Sequence, residues 1–198
     1  MSPKQIQNLV ESADQLHAQN KQVSAFLFYW VAWEAMQTRM FAVGMKRALN
    51  VPVRTSYKCV ASSKVSSQDS YAKLWDKHFD TKLSSQLGTF GKVWRSMNKI
   101  ELIRHRIVHG HSQVRTDWIQ AANELLKSIF QHVDYVTNQV KLTGKLRLGS
   151  VMTLRPKFAG QGPIKKFEVP TVKSLTTRIG ARDIGMWTNL THSMLRHG

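Results

Sequence analysis

The residues best suited to chemistry in this chain are Arg104, His105 and His109. Gly110 follows them directly in the sequence. Arginine is a permanent cation that binds phosphate through a planar fork of donors. Histidine is the side chain that takes and gives protons near neutral pH. Five positions separate Arg104 from His109, so this short segment predicts a site that binds an anion and transfers protons.

The segment ends a predicted amphipathic helix, and the register of that helix places Arg104 near the centre of its apolar arc. The arc consists of Phe90, Val93, Met97, Ile100, Ile103, Ile107 and Val108. A guanidinium in that position predicts burial, and a buried cation needs an acceptor because unpaired burial costs several kcal/mol. Glu34 is the expected counter-ion, an interpretation that we favour over a catalytic role for it.

Apolar spacing predicts four main helices, at about 3–18, 22–48, 90–109 and 116–140, with the second central in a bundle. Pro3 suits the first turn of the first helix, and Gly110 suits the end of the third. Between them, 50–68 is expected to be a connection with short strands and 71–79 a short helix. The tryptophans at helical spacing are expected in the core. The predicted fold class is therefore all-α.

The amino-acid composition of the chain favours some classes of function over others. The 198 residues carry 29 Lys or Arg against 12 acids, a net charge of +17, which favours nucleic acid as a partner over an acidic ligand. A solvated basic protein, or one that touches an anionic membrane surface, is the plainer alternative. The single Cys59 excludes an internal disulfide and a multi-cysteine zinc site. Without a signal-peptide pattern or an uninterrupted apolar span, we expect a cytoplasmic protein.

The predicted domain boundary divides residues 1–142, the helical bundle, from residues 143–198, a basic extension punctuated by glycine and proline. This extension carries ten Lys or Arg and two acids. Its alternating Lys145–Leu148 segment predicts an edge strand, and Ile184–Leu195 a terminal helix. We expect the extension to be an electrostatic arm that binds RNA phosphates.

Arg104, the polar His105, a short gap and then His109, at the end of the third helix of an apparent four-helix bundle, resemble the motif of the HEPN superfamily. The resemblance covers about 142 residues as architecture and three positions as motif. It implies a metal-independent endoribonuclease without a cofactor, of toxin or phage-defence type, that works as a homodimer. An antitoxin or other regulatory protein is a further implied partner.

In that resemblance His109 is the general base or acid, Arg104 holds the scissile phosphate, and His105 orients or assists. His111 stands where one HEPN subgroup has a tyrosine that accepts a nucleotide, so that form of regulation is not expected. We assign His111 a supporting place only, because a polar residue after a helix end is usually solvated.

The helical geometry of the motif leaves alternatives open. Residues five apart on an ideal helix diverge by about 140°, so either the last turn distorts or two copies form a shared cleft. Glu101, His105 and His109 share a helix edge and form a weaker candidate for a metal site. The rival functions are a non-catalytic RNA- or nucleotide-binding HEPN-like protein and a basic DNA-binding or assembly protein.

Overall fold

The computed structural model describes residues 1–63, 65–110 and 114–152. Within these ranges the chain is mostly helical, with a single two-stranded hairpin, which confirms the predicted all-α class. The elements in chain order are α1 (Pro3–Ala18), α2 (Gln22–Leu49), α3 (Val53–Ser62), α4 (Gln68–His78), α5 (Gly88–Val108), α6 (Thr116–Gln131), α7 (Val133–Asn138), β1 (Lys141–Thr143) and β2 (Leu146–Arg147). The terminal helix predicted at 184–195 lies outside the described residues.

Helix α2 lies at the centre of the structure, as its nearly all-round apolar sequence predicts. It packs against α1, α3, α4, α5 and α6. Its buried side chains include Phe26, Trp30, Trp33, Met36, Met40 and Phe41, and Trp94 and Trp118 are buried on α5 and α6. The prediction that these tryptophans belong to the core is therefore confirmed, which leaves none of them exposed for stacking on bases.

Pro3 at the start of α1 and Gly110 at the end of α5 act as predicted. Ser2 and Gln5 form a reciprocal capping box at the start of α1, with Pro3 in its first turn. At the end of α5, His109 is the C-cap and Gly110 has a φ of 64°. This left-handed conformation favours glycine, so Gly110 ends the helix.

The predicted connection over residues 50–68 is wrong, because Val53–Ser62 forms helix α3. Pro52 occupies the N-cap, and its carbonyl accepts bonds from the backbone N–H and the hydroxyl of Ser56. Ser56 and Val60 are buried on one side of the helix. Proline often marks a loop, but here it starts a helix. The first N–H groups of a helix have no partner within the helix, so the N–H that proline lacks costs nothing at that end.

Two other helix boundaries differ from the prediction. Helix α4 begins at Gln68, three residues early, because Ser67 and Ser70 cap it reciprocally. The predicted helix over 116–140 is broken at His132, whose φ of −123° and ψ of 23° are not helical. Because α7 follows directly at Val133 and buries Val136, the apolar period runs through the break, which explains the single-helix prediction.

The described part of the C-terminal extension packs onto the helices. Strands β1 and β2 form an antiparallel hairpin, after which Leu148 and Val151 are fully buried. Arg47 on α2 donates to the carbonyls of Arg147 and Leu148 at 3.1 and 2.7 Å. The packed body therefore continues to Val151, which places the start of any separable basic arm after that residue.

Candidate functional site

The last turns of α5, the middle of α2 and the start of α4 enclose a cleft of about 680 Å³. Arg104, His105 and His109 line it from α5, and Glu34 lines it from α2. Four of the five side chains singled out in the sequence thus face one cavity in a single chain. His111, the fifth, lies outside the described residues.

Arg104 sits at the mouth of this cleft and is only partly buried, with 26% of its side chain exposed. The expected full burial is therefore wrong. The apolar arc of α5 loses its cover toward the end of the helix, where Ile107 is half-buried and Val108 is 51% exposed. Since the last turn runs past the edge of the core, part of the Arg104 side chain keeps contact with water.

Glu34 is the nearest carboxylate to Arg104, with 4.0 Å between its Oε1 and the arginine Nη2. The same oxygen accepts a hydrogen bond of 2.7 Å from the indole N–H of Trp30. Glu34 therefore pairs with Arg104 as expected. Its side chain is 45% exposed, so the expectation that this counter-ion is buried is wrong. An exposed pair at this distance is weak, so the guanidinium remains available to an anion.

His105 and His109 lie one helical turn apart with nearly parallel rings. Their ring centroids are 5.8 Å apart, and the planes differ by 12°. The backbone N–H of His109 donates to the carbonyl of His105 at 3.0 Å, which holds the two residues in register. Burial lowers the pKa of His105, and the positive charges of Arg104 and His109 lower that pKa further.

The predicted 140° divergence between Arg104 and His109 does not separate them. The cleft spans the gap between α2 and α5, so it is wide enough to take side chains from neighbouring faces of the last turns. His105, next to Arg104 in sequence and stacked on His109, connects the two. A composite cleft formed by two chains stays a prediction, as does the homodimer, which rests on the resemblance.

Glu101 is the cleft residue whose structural role the sequence did not reveal. Its Oε1 accepts from the backbone N–H of Gln68 at 2.9 Å, in the first turn of α4. Burial raises the pKa of Glu101, while the Gln68 bond and the charge of Arg104 act against this rise. Glu101 thus connects α5 to α4 across 33 positions. Local sequence patterns do not reveal a contact between residues so far apart.

A polar chain continues from Gln68 into the core. Its Oε1 accepts from Nε2 of Gln37 at 2.8 Å, and the hydroxyl of Tyr71 donates to the carbonyl of Gln37. Both glutamines are buried, at 4% and 2% exposed. Satisfied buried networks fix geometry, so this chain holds α4 against α2 and sets the width of the cleft. The one sequence signal was Gln37, a polar residue within the most apolar helix.

The metal alternative gains no support from these contacts. Within the ranges that the structure describes, no three His, Cys, Asp or Glu side chains are grouped so that they could hold a metal ion. Glu101, the acid of the proposed set, accepts the Gln68 N–H. The arrangement instead offers a cation and two histidines on one wall, with carboxylates opposite and beside them.

Comparisons with known proteins add no family assignment, since no family model, curated protein or solved structure matches this chain. None of the helices in the described part of the chain combines the length and apolarity that a bilayer span requires.

Proposed function

We propose that the protein is an endoribonuclease that cleaves RNA by attack of the 2′-hydroxyl on the adjacent phosphate, without a metal ion or other cofactor. The observation that carries the proposal is the presence of Arg104, His105 and His109 in one cleft, with the two imidazoles 5.8 Å apart. The three side chains supply the parts this reaction needs: a fixed cation and two groups that move protons near pH 7.

Burial and the charges of Arg104 and His109 lower the pKa of His105, which favours the neutral ring that can accept a proton. In the proposed reaction this ring takes the proton of the 2′-hydroxyl as the 2′-oxygen bonds to phosphorus. The bond from phosphorus to the 5′-oxygen breaks, and His109 donates a proton to that oxygen as the general acid. The products are a 2′,3′-cyclic phosphate and a 5′-hydroxyl, with the proton balance restored by exchange with water.

Arg104 stabilises the negative charge that accumulates on the phosphorane oxygens. Its 4.0 Å separation from Glu34 and its partial exposure leave donors for a phosphate. Glu34 lies beside the guanidinium in the cleft, and its Oε1 accepts a hydrogen bond from the indole N–H of Trp30. Preorganised cations of this kind usually account for a large share of catalysis in water-poor sites.

The charge of +17 supports RNA as the partner, because a polyanion gains affinity from each phosphate that a basic protein neutralises. From the HEPN resemblance we further propose a homodimeric, cytoplasmic enzyme of a toxin or defence system with a four-helix core, restrained by an antitoxin or another regulatory protein.

A non-catalytic RNA- or nucleotide-binding protein is the second candidate. The observation in its favour is the pair of carboxylates in the cleft, Glu34 and Glu101. Carboxylates accept hydrogen bonds from ribose hydroxyls and from amino groups of bases. They also reduce the net positive charge around Arg104, which would weaken stabilisation of a phosphorane.

The two candidates are separated by incubating end-labelled RNA with the purified protein in EDTA. We expect cleavage products with 2′,3′-cyclic phosphate ends, and none from His109→Ala or Arg104→Ala protein that retains its helical circular dichroism. RNA that is bound but left intact by the unaltered protein would favour the binding function. Cleavage that needs added Mg²⁺ or Mn²⁺ would contradict the metal-independent mechanism.

A further inference from the structure

A second cleft, of about 440 Å³, lies at the opposite end of α5. Its walls are the loop between α4 and α5 and the C-terminal hairpin. The side chains that matter here are Thr81, Lys82, Gln86, Leu87, Lys141 and Arg147. Since the 21 residues of α5 span about 31 Å, this cleft and the histidine cleft are separated by most of the helix length.

Gln86 builds this second cleft by clamping strand β1 against the loop. It is only 5% exposed, and its Oε1 accepts from the backbone N–H of Lys141 at 3.0 Å. Its Nε2 donates to the carbonyl of Lys141 at 3.1 Å, and the Thr81 hydroxyl donates to that carbonyl at 2.6 Å. The backbone of Lys141 is thereby fixed at the wall of the cleft.

The hairpin register places Lys141 directly opposite Arg147. Like charges at directly opposed positions destabilise a strand pair, so this arrangement costs stability unless an anion is bound. Lys82 adds a third exposed cation from the loop. In the described part of the chain no acidic side chain forms an ion pair with any of the three.

The neighbouring acid, Asp80, forms no ion pair with the three cations of this cleft. Its carboxylate accepts from the hydroxyl of Thr143, and it does not line the cleft. At the rim, Leu87 is 83% exposed and offers an apolar surface beside the cations. The start of α5 opens onto the same cleft and adds the partial positive charge of a helix N-terminus.

We propose that this cleft is a second RNA-binding site, in which Lys82, Lys141 and Arg147 bind backbone phosphates away from the histidine cleft. The open shape and the exposed cations suit a chain of phosphates that passes over the surface better than one enclosed phosphate. At about 3.4 Å per stacked nucleotide, a tetranucleotide covers about 14 Å and cannot reach both clefts. Long RNA is therefore bound more tightly than short RNA, whether or not it is cleaved.

The test uses the full chain and RNA with 2′-O-methyl groups at every position, which cannot undergo 2′-hydroxyl attack. Fluorescence anisotropy gives the affinity for a long single strand and for a tetranucleotide over a range of salt concentrations. The variant Lys82→Gln, Lys141→Gln, Arg147→Gln is compared with a control of equal charge. That control replaces three exposed lysines that do not line the cleft, Lys4, Lys21 and Lys77, with glutamine.

For the cleft variant we expect weaker binding of the long strand and a log-log salt slope lower by up to about 2, since each lost contact to a single strand removes about 0.7. Tetranucleotide binding and its cleavage in unmodified form should match the control. Thermal unfolding should be unchanged or shifted upward, because the like-charge pair is relieved.

Equal long-strand affinity and salt slope in the two triple variants would overturn the proposal. So would a competition in which inorganic phosphate, at matched ionic strength, protects the cleft lysines from acylation while long RNA does not. If the unaltered protein does not cleave RNA, only the proposed ribonuclease function is contradicted. The proposal of a second binding site is unaffected, because the binding measurement requires no reaction.

Discussion

Replacing Arg104 with glutamine should reduce RNA cleavage far more than it reduces stability. The arginine is the cation of the histidine cleft, and removing one preorganised donor to a developing oxyanion costs about 10²–10³-fold in kcat, or about 2.7–4 kcal/mol. Its partner in the folded protein is Glu34, at 4.0 Å and 45% exposed. A pair as solvated as this contributes about 0.2–1 kcal/mol to folding.

The two magnitudes lead to different measurements. For a chain of this size about 1 kcal/mol corresponds to about 2–4 °C in Tm, so Arg104→Gln should lower Tm by no more than that. Steady-state cleavage of an RNA with a fluorophore and a quencher should fall by at least about 10²-fold. Arg95→Gln is the matched control, since Arg95 is exposed on the same helix and does not line the cleft.

The same variant should shift the pH dependence of kcat/KM. Burial lowers the pKa of His105 most, and the Arg104 charge is the next cause. Without that charge the pKa rises toward its ordinary value of 6.5, so His105 becomes protonated at higher pH. The acidic limb of the profile should therefore move to higher pH in Arg104→Gln and stay in place in Arg95→Gln.

Cleavage by Arg104→Gln within about threefold of the unaltered protein would exclude Arg104 as the stabilising cation, because losing a preorganised donor of this kind typically costs about 10²-fold or more. A large loss of Tm would refute the reasoning too, since it would mean that Arg104 supports the core. An unshifted acidic limb would remove His105 as the proton acceptor and assign the proton transfers to another group.

Three other changes probe the structure. Glu101→Ala should lower Tm by several degrees, because the N–H of Gln68 loses its acceptor, whereas Glu101→Gln should keep the Tm of the unaltered protein. Equal Tm values in the two variants would contradict a stabilising role for the bond between Glu101 and Gln68. Gly91→Ala should destabilise by about 1–3 kcal/mol in urea unfolding, since its Cβ would lie 1.9 Å from the carbonyl oxygen of Gln86; an unchanged midpoint would exclude this contact. Removing residues 153–198 should leave a cooperatively folded protein and lower the RNA salt slope by about 0.7 per lost contact; an unchanged slope would exclude the arm.

Much of the fold could be predicted because its signals are short-range. The apolar period of α5, Pro3 in the first turn of α1 and the left-handed Gly110 each act within one or two helical turns, and each fixes an element or its end. The wrong predictions arose where one local sequence pattern is compatible with two different structures. Pro52 starts α3 although proline also marks loops, and the apolar period persists through the break at His132.

The candidate site follows the same division. The types and spacing of Arg104, His105 and His109, together with the charge of the chain, were sufficient to predict phosphate chemistry. Only the tertiary structure decided how far Arg104 is buried, that Glu34 lies 4.0 Å from it across 70 positions, and that Glu101 caps α4. It likewise placed Lys141 against Arg147 beside the start of α5. Contacts between distant segments depend on how whole helices pack, and the side-chain pattern of one helix determines its apolar face without determining which neighbour covers it.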